Sequence, residues 1–357
     1  MPNKNLIILF GGRSVEHEIS KRSATNVFKY IDRLHYNLSV IGISRKGDWF
    51  LLDNPQQLIE SGKEISLSLS TTHPRFEIKT SGKAFNIQIV FPILHGTDGE
   101  DGSVQGLIKC MNVILIGSNV LGSALSMDKI ISKKLLEHAG IPIVPYMCFT
   151  KDEKISFEKV KNKLGLPFIV KAGNLGSSVG ISKVNTFENF ENAIEESFKY
   201  GNEILIETFV KCRELECGII GNKLLSSTLL GEVILSKNYD FYTYRAKYHD
   251  KFAVRIEIPA QVPKGIHQQI RKLCEKAFLT LKCNDYARVD IFLTPENKIF
   301  INEINTIPGF TDCSMFPVLW ENMGISPREL ITKIIEFGEI RWQQEQKYTT
   351  DLKSHSK

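Results

Sequence analysis

The sequence predicts an α/β protein built from several domains. At 357 residues the chain is longer than one ordinary hydrophobic core requires, which indicates two or three domains. Its first elements follow the order strand, helix, strand, which is typical of a parallel sheet covered by helices. From Glu203 onward the pattern is mostly that of strands, with two helices near the C-terminal end. We therefore expect a parallel α/β domain first and a mixed α+β region after it.

The N-terminal part contains three candidate strands, and two of them lead into loops that could bind a ligand. An apolar strand at residues 5–10 runs into a glycine loop, and a helix follows to about Leu34. Further strands are expected at residues 38–44 and 87–92, and a loop that begins at His95 follows the second of these. Because ligands of open α/β sheets bind at the carboxyl ends of strands, both loops are candidate binding sites.

The middle of the chain alternates helices with short strands. Ser126 is a candidate N-cap for a helix at residues 128–139, and a strand follows at residues 168–171. A glycine-rich loop at residues 173–180 separates this strand from a return strand at residues 181–184.

The remaining helices are predicted from apolar spacing. Thr186 is expected to cap a helix whose periodic residues lie in the core, namely Phe187, Phe190, Ile194 and Phe198. Two further helices are expected at residues 264–281 and 326–337, and the polar segment from Gln343 is expected to be a loose tail.

Composition excludes several classes of protein. The chain is 42% hydrophobic and 24% charged, which is typical of a soluble globular protein. Its net charge of +5 is spread along the chain and is too weak to indicate nucleic-acid binding. No apolar run approaches the roughly 20 residues of a membrane-spanning helix, so no membrane partner is expected. The seven cysteines include no Cys-x-x-Cys pair, which favours a reducing cytoplasm and no structural zinc.

Three oxygen-bearing residues near the C-terminal end form a candidate metal site beside the guanidinium of Arg288. Arg288 and Asp290 lie on one face of one predicted strand, and Glu303 and Asn305 on one face of the next. The turn expected at residues 294–297 would fold the two strands together. Two carboxylates and an amide oxygen are ligands that Mg²⁺ accepts together with nucleotide phosphates. The alternative is a hairpin with one solvated polar face.

Three other places in the sequence are candidates for binding a phosphate group or a substrate ammonium. Lys171 ends a strand before the glycine-rich loop, so backbone N–H groups and an ammonium could contact phosphates, although the loop could also be a plain hairpin. Glu16 begins the first helix, where it could bind a substrate ammonium or only favour the helix dipole. His95 likewise could belong to a site or to a surface loop. Because Gly-x-Gly-x-x-Gly is absent, a dehydrogenase is disfavoured.

Two further segments contain candidate site residues. The aromatic and basic segment at residues 241–248 could be a packed surface loop, or a lid that brings Lys247 and Tyr248 onto substrates. After Asn305, Gly309 can offer its N–H where a side chain would block access, and Ser314 can donate to a carboxylate.

Seven motifs in order resemble those of the D-alanine–D-alanine ligases of the ATP-grasp superfamily, over about residues 5–340. They include Gly-Gly-x-Ser-x-Glu-His-Glu-Ile-Ser, His-Gly-x-x-Gly-Glu-Asp-Gly, Met-Asp-Lys, Gly-Ser-Ser-Val-Gly, Ala-Lys-Tyr, Arg-Val-Asp and Asn-Glu-Ile-Asn-Thr-Ile-Pro-Gly-Phe-Thr. The resemblance implies a three-domain ATP-grasp fold. Its expected parts are an N-terminal parallel α/β substrate domain at 1–122, a central ATP-grasp subdomain at 123–206, a C-terminal ATP-grasp domain at 207–342 and a polar tail at 343–357.

The resemblance also implies roles for individual residues. ATP would be bound by Lys129, Lys171, Gly176, Ser177, Ser178, Glu207, Phe209, Val210, Glu214 and Lys247. Two Mg²⁺ ions, or Mn²⁺ in their place, would be held by Asp290, Glu303 and Asn305. The catalytic residues would be Glu16, Ser177, Tyr248, Arg288 and Gly309, and the amino-acid substrates would also meet His95, Ser314 and Met315.

The implied reaction joins two D-alanine molecules through an acyl phosphate made with ATP. A homodimer in a bacterial cytoplasm, acting in peptidoglycan precursor synthesis, also follows from the resemblance. One rival is a sister ligase that adds D-serine or D-lactate, although Tyr248 and Met315 favour D-alanine. Asp312 would repel the second substrate's carboxylate unless it points away. A rival from another class is a non-catalytic nucleotide-binding protein on a degenerate ATP-grasp scaffold.

Overall fold

The computed structural model describes residues 3–174, 180–235 and 254–348 of the chain. These residues form three β-sheets with helices packed against them, which confirms the mixed α/β class. No helix in these ranges is long and apolar enough to cross a membrane.

The N-terminal sheet has eight strands. They are β1 (Lys4–Gly11), β2 (Tyr36–Ile43), β3 (Trp49–Leu52), β4 (Lys63–Ser68), β5 (Arg75–Ile78), β6 (Ala84–Asn86), β7 (Ile89–Ile93) and β8 (Ile114–Leu115). Their order is β6-β5-β4-β3-β2-β1-β7-β8. The pairs β2–β1, β1–β7 and β7–β8 are parallel, as predicted. The pairs β2–β3, β3–β4, β4–β5 and β5–β6 are antiparallel, which the sequence did not predict.

Helices cover this sheet and place two loops at its carboxyl edge. Helix α1 (His17–Tyr30) follows β1 and ends before Leu34, where the sequence predicts its end. Helix α2 (Ser103–Cys110) follows the loop after β7, and a short 3-10 turn lies at Ile59–Ser61. The loops after β1 and β7 therefore leave neighbouring parallel strands at the same edge.

The middle sheet has four antiparallel strands in the order β11-β10-β12-β9. They are β9 (Tyr146–Thr150), β10 (Phe168–Ala172), β11 (Ser182–Val184) and β12 (Glu203–Thr208). The helices of this region are α3 (Val120–Met127), α4 (Lys129–His138), α5 (Phe157–Leu164) and α6 (Phe190–Phe198).

Two predicted helix starts in this region are wrong. Ser126 lies inside α3, and α4 is instead capped by Asp128, whose carboxylate accepts two backbone N–H groups at 3.0 Å. Thr186 precedes a 3-10 turn at Phe187–Asn189, and α6 begins only at Phe190. Phe187 consequently lies outside the helix and is exposed, whereas Phe190 is buried as predicted.

The C-terminal sheet has the order β16-β15-β13-β17-β18, with β14 paired to β13. Its strands are β13 (Arg213–Gly221), β14 (Leu225–Ser227), β15 (Gly231–Leu235), β16 (Val254–Glu257), β17 (Tyr286–Leu293) and β18 (Ile299–Asn305). The helices are α7 (Lys264–Thr280), α8 (Met315–Glu321) and α9 (Pro327–Glu345). Helix α9 thus continues beyond residue 337 and into the segment predicted as a tail, and Ser326 caps it through a capping box with Glu329. The predicted domain boundaries stay predictions.

The N-terminal and C-terminal sheets meet in one hydrophobic core. Phe91 of β7 packs edge-on against Tyr286 of β17, with ring centres 6.0 Å apart. Beside these rings, the buried carboxylate of Asp285 accepts the N–H of Gly117 at 2.8 Å and lies 3.0 Å from Nη2 of Arg341. These contacts hold the two sheets together, so that loops from both can line one pocket.

Candidate active site

The predicted hairpin is confirmed as β17 and β18. In the antiparallel register, Arg288 is opposite Asn305 and Asp290 is opposite Glu303. The guanidinium of Arg288 contacts both carboxylate oxygens of Asp290, at 2.6 and 2.7 Å, and Asn305 Nδ2 donates to Asp290 Oδ2 at 3.1 Å. The side chains of Arg288, Asp290 and Glu303 are only 17%, 15% and 27% exposed, which argues against a merely solvated face.

The donor set of this hairpin fits a hard divalent cation. Asp290, Glu303 and Asn305 offer two carboxylates and one amide oxygen, and Mg²⁺ commonly completes such a set with nucleotide phosphates. Among the described residues, no group of three or more His, Cys, Asp or Glu could by itself hold a metal. The oxygen donors of the hairpin suit a metal that also binds nucleotide phosphates.

A further carboxylate at this site, that of Glu216, was not predicted. Glu216 lies on β13 opposite Asp290, and its Oε2 is 2.9 Å from Nε of Arg288. Burial alone would lower the pKa of Arg288. The charges of Asp290 and Glu216 outweigh burial and raise this pKa well above its usual value. The alternation of Glu214 and Glu216 along β13 was the available signal.

Residues from the N-terminal and C-terminal parts of the chain together line one pocket of about 210 Å³. Its lining combines predicted residues from both, with Glu16 and His95 from the N-terminal part and Arg288, Glu303, Asn305, Gly309, Ser314 and Met315 from the C-terminal part. Eight predicted residues separated by up to 299 positions in the sequence therefore face one space.

The N-terminal wall of the pocket presents an acid and a neutral imidazole. Glu16 is buried at the start of α1, and a Cβ on Gly96 would lie only 2.8 Å from its Oε2. His95 is buried, with its Nε2 3.2 Å from Ser23 Oγ. Burial lowers the pKa of His95, so its ring is mainly uncharged at neutral pH.

Glu100 is a pocket residue that was not predicted individually, although it lies in the loop after His95. Its carboxyl accepts the N–H of Gly96 at 2.7 Å and the N–H of Ile307 at 3.3 Å. Burial, and then the charge of Glu16, raise the pKa of Glu100 to about 8. Glu100 therefore bridges the two halves with a carboxyl that is largely protonated at neutral pH.

A second polar cluster lies on the middle sheet, outside this pocket. Glu207 is buried between Lys171, whose Nζ is 2.6 Å from Oε2, and Lys133, whose Nζ is 2.5 Å from Oε1. Burial would raise the pKa of Glu207, but the two ammonium groups lower it to about 2. Lys129 Nζ lies 3.7 Å from Oε2 of Glu303, so α4 also faces the hairpin. Lys133 was missed, although its i,i+4 spacing from Lys129 on a helix was a signal.

The other residues predicted to bind ATP fall into two groups, those that the structure describes and those that lie outside the described residues. Phe209 and Val210 directly follow β12, and the ammonium of Lys183 lies 4.1 Å from the centre of the Phe209 ring. Glu214 lies on β13. Gly176, Ser177, Ser178, Lys247 and Tyr248 lie outside the described residues, so the phosphate loop and the lid stay predictions.

Asp312 does not belong to the pocket wall that its sequence neighbours form. Asp312 is exposed and does not line the pocket, whereas Cys313 and Ser314 do. Ser314 Oγ accepts the N–H of Thr311 at 3.0 Å and lies 2.7 Å from the Thr311 hydroxyl. The hydroxyl is therefore held at the pocket wall, and the pocket lining does not include the neighbouring carboxylate.

Comparisons with known proteins agree with this arrangement along nearly the whole chain. The family model described as "D-ala D-ala ligase N-terminus" matches residues 5–118, and "D-ala D-ala ligase C-terminus" matches residues 135–336. The chain is 41% identical over 367 aligned positions to a D-alanine–D-alanine ligase of Shouchella clausii, and the alignment covers 99% of each chain.

Two solved structures have the same architecture. The D-alanine-D-alanine ligase from Coxiella burnetii superposes with a TM-score of 0.84 at 33% identity, covering 97% of this chain and 98% of its own. The VanG D-Ala:D-Ser ligase from Enterococcus faecalis superposes with a TM-score of 0.86 at 30% identity, covering 94% and 99%.

Proposed function

Because the chain belongs to the D-alanine–D-alanine ligase family of ATP-dependent ligases, we propose that it condenses two D-alanine molecules to D-alanyl-D-alanine with ATP. The observation that carries the proposal is the shared pocket. This pocket is lined by Glu16 from the N-terminal part and by Arg288 and Gly309 from the C-terminal part. An amino acid needs one group for its ammonium and others for its carboxylate, and these residues supply both.

Each end of the two substrates has a chemically suitable partner. The buried carboxylate of Glu16 pairs with the ammonium of the first D-alanine. Arg288 and the N–H of Gly309 bind a carboxylate oxygen of the same molecule. Ser314 donates its hydroxyl to the carboxylate of the second D-alanine, and Met315, at the start of α8, contacts its methyl side.

The reaction has two chemical steps. The carboxylate of the first D-alanine takes the terminal phosphoryl group of ATP, which forms an acyl phosphate and releases ADP. The amine of the second D-alanine, after losing a proton, attacks the acyl carbon, and the C–O bond to phosphate breaks. Negative charge that develops on the acyl oxygen is stabilised by Arg288 and by the N–H of Gly309.

ATP lies between the middle and C-terminal sheets in this proposal. Lys129 and Lys171 contact its phosphates, Glu207, Phe209 and Val210 border the adenine, and Glu214 holds the ribose. Asp290, Glu303 and Asn305 would hold Mg²⁺, or Mn²⁺ in its place, and the bound metal would supply positive charge beside the phosphates. The oxygen donors of the hairpin support this assignment.

The proposal extends to the setting of the enzyme. We place it in the bacterial cytoplasm as a homodimer that supplies the dipeptide for peptidoglycan precursors. The seven cysteines support a reducing compartment, because all of them are free thiols.

The decisive assay measures phosphate release and product identity together. The protein is incubated with Mg²⁺-ATP and D-alanine, and then with D-alanine plus D-serine or D-lactate. We expect phosphate release that depends on D-alanine and a dipeptide of two D-alanine units. The similarity to a D-Ala:D-Ser ligase makes D-serine the important competitor. Absence of D-alanine-dependent release would reject ligase activity, and preferential formation of a mixed product would reject D-alanine as the second substrate.

A further inference from the structure

The loop that carries Gly309 is held by residues of the N-terminal part. Phe310, the next residue, donates its N–H to Ser23 Oγ at 3.1 Å and accepts from Asn26 Nδ2 at its carbonyl at 2.7 Å. Ser23 and Asn26 both lie on α1. One helix therefore binds the polar groups on both sides of Phe310 and fixes the peptide plane that follows Gly309.

The chain segment before Gly309 is also held by the N-terminal part. Ile307 donates its N–H to Oε1 of Glu100, from the loop after β7. Gly309 itself is tightly placed, because a Cβ there would lie 2.8 Å from Ser314 Oγ. The position of its N–H is consequently set by contacts two residues before it and one residue after it.

Ser23 connects this loop to a second pocket residue. Its side chain is completely buried, and its Oγ lies 3.2 Å from Nε2 of His95. A hydroxyl oxygen can accept the N–H of Phe310 while its O–H donates to an unprotonated ring nitrogen. A single hydroxyl thereby orients His95 and the Gly309 loop relative to each other.

We propose that Ser23, with Asn26 beside it, is a positioning residue that holds the N–H of Gly309 in line with the reacting acyl oxygen. The inference rests on the proposed function. A donor stabilises a developing oxyanion only when it is about 2.7–3.1 Å away, so small shifts of the loop weaken it strongly. Ser23 touches no substrate in this scheme and acts through the loop and the His95 ring.

Loss of this hydroxyl has a specific chemical consequence. If the amine attack slows while the acyl phosphate still forms, water gains time to attack the intermediate at phosphorus, a step that builds no charge on the acyl oxygen. That hydrolysis breaks the P–O bond to the acyl group and returns D-alanine and inorganic phosphate without dipeptide. The number of phosphates released per dipeptide formed therefore reports the position of the loop, whereas general destabilisation lowers both products together.

The experiment compares Ser23→Ala with Thr25→Ala in the full-length protein. Thr25 also lies on α1, but its hydroxyl donates to the Lys21 carbonyl within that helix, so it is the matched control. For Ser23→Ala we expect dipeptide turnover to fall about 10- to 100-fold, with the KM for ATP within twofold of wild type. The phosphate-to-dipeptide ratio should rise above one. Ser23→Thr should restore the ratio, and Thr25→Ala should keep it at one.

Asn26→Ala provides a second variant at a partly buried position, in case Ser23→Ala folds poorly. It should also raise the phosphate-to-dipeptide ratio, because it loses the bond to the Phe310 carbonyl. A ratio of one in both variants would overturn the inference, whatever their turnover. A wild-type protein that makes no dipeptide would instead overturn the proposed function.

Discussion

Lys133 Nζ lies 2.5 Å from Oε1 of Glu207, and Lys171 Nζ lies 2.6 Å from Oε2 of the same carboxylate. All three side chains are at least nine-tenths buried. The Glu207 carboxylate is therefore ionised and held from both sides. Because Lys171 is the proposed phosphate ligand, Lys133 is the partner that can stay with Glu207 when ATP binds.

Lys133→Met should impair nucleotide use more than amino-acid use. Without Lys133, Lys171 becomes the main counter-ion of Glu207 and is less available to phosphate. We expect the KM for ATP to rise about tenfold with little change in the KM for D-alanine. The unfolding free energy should fall by about 3 kcal/mol, the lower end for breaking a buried ion pair, because Lys171 still compensates Glu207. Steady-state kinetics and urea unfolding measure both effects, and Lys133→Arg is the charge-retaining control. An unchanged KM for ATP would contradict this role.

Arg288→Ala should abolish most turnover while ATP still binds. The substitution removes a cation from the acyl oxygen and leaves Asp290 and Glu216 facing each other without it. We expect turnover to fall at least ~100-fold, since one such donor contributes about 3–4 kcal/mol to the transition state. Calorimetric titration with ATP provides the binding control. Near-normal turnover would exclude Arg288 from the oxyanion site.

Glu100→Gln should change the dependence of stability on pH. Folding raises the pKa of Glu100 from 4.5 to about 8, so the folded state retains a proton that the unfolded state loses. The stabilisation by this group is therefore complete below pH 4.5 and is lost as the pH rises through about 8. Urea unfolding from pH 5 to 9 should show a steeper decline for wild type than for Glu100→Gln. Parallel curves would show that Glu100 ionises normally.

Asp285→Asn should destabilise the junction between the two sheets. Arg341 Nη2, which also donates to the Leu115 carbonyl at 2.7 Å, would lose its buried counter-ion. We expect a loss of about 3–5 kcal/mol in unfolding free energy. Glu345→Gln is the matched control, because Arg341 also pairs with this exposed carboxylate and such surface pairs contribute less than about 1 kcal/mol. Equal effects of the two variants would argue against the buried pair as the source.

Local patterns in the sequence were sufficient for elements whose periodicity is unambiguous. The alternation around Asp290 and Glu303 predicted the hairpin, because strand geometry places every second side chain on one face. Helix starts were less certain. Ser126 and Asp128 are both good capping residues, and only the fold shows that Ser126 continues α3.

The missed site residues share one property, which is that their partners are distant in the sequence. Glu216 meets Arg288 only because β13 pairs with β17. Glu100 meets Ile307, and Ser23 meets Phe310, only because the N-terminal and C-terminal sheets pack together. Patterns read over a short window carry no information about such contacts.

By itself, the sequence determined the fold class and the family, because Glu16, Arg288, Asp290 and Gly309 lie in local motifs that resemble those of the family, and the roles assigned to these residues stay predictions. The tertiary structure alone decided how these groups are held. It placed Lys133 against Glu207 and Ser23 against the loop of Gly309. It also left Asp312 exposed and outside the pocket lining. The physical reason is that burial and ion pairing depend on which surfaces pack together, and packing joins residues that hundreds of positions separate.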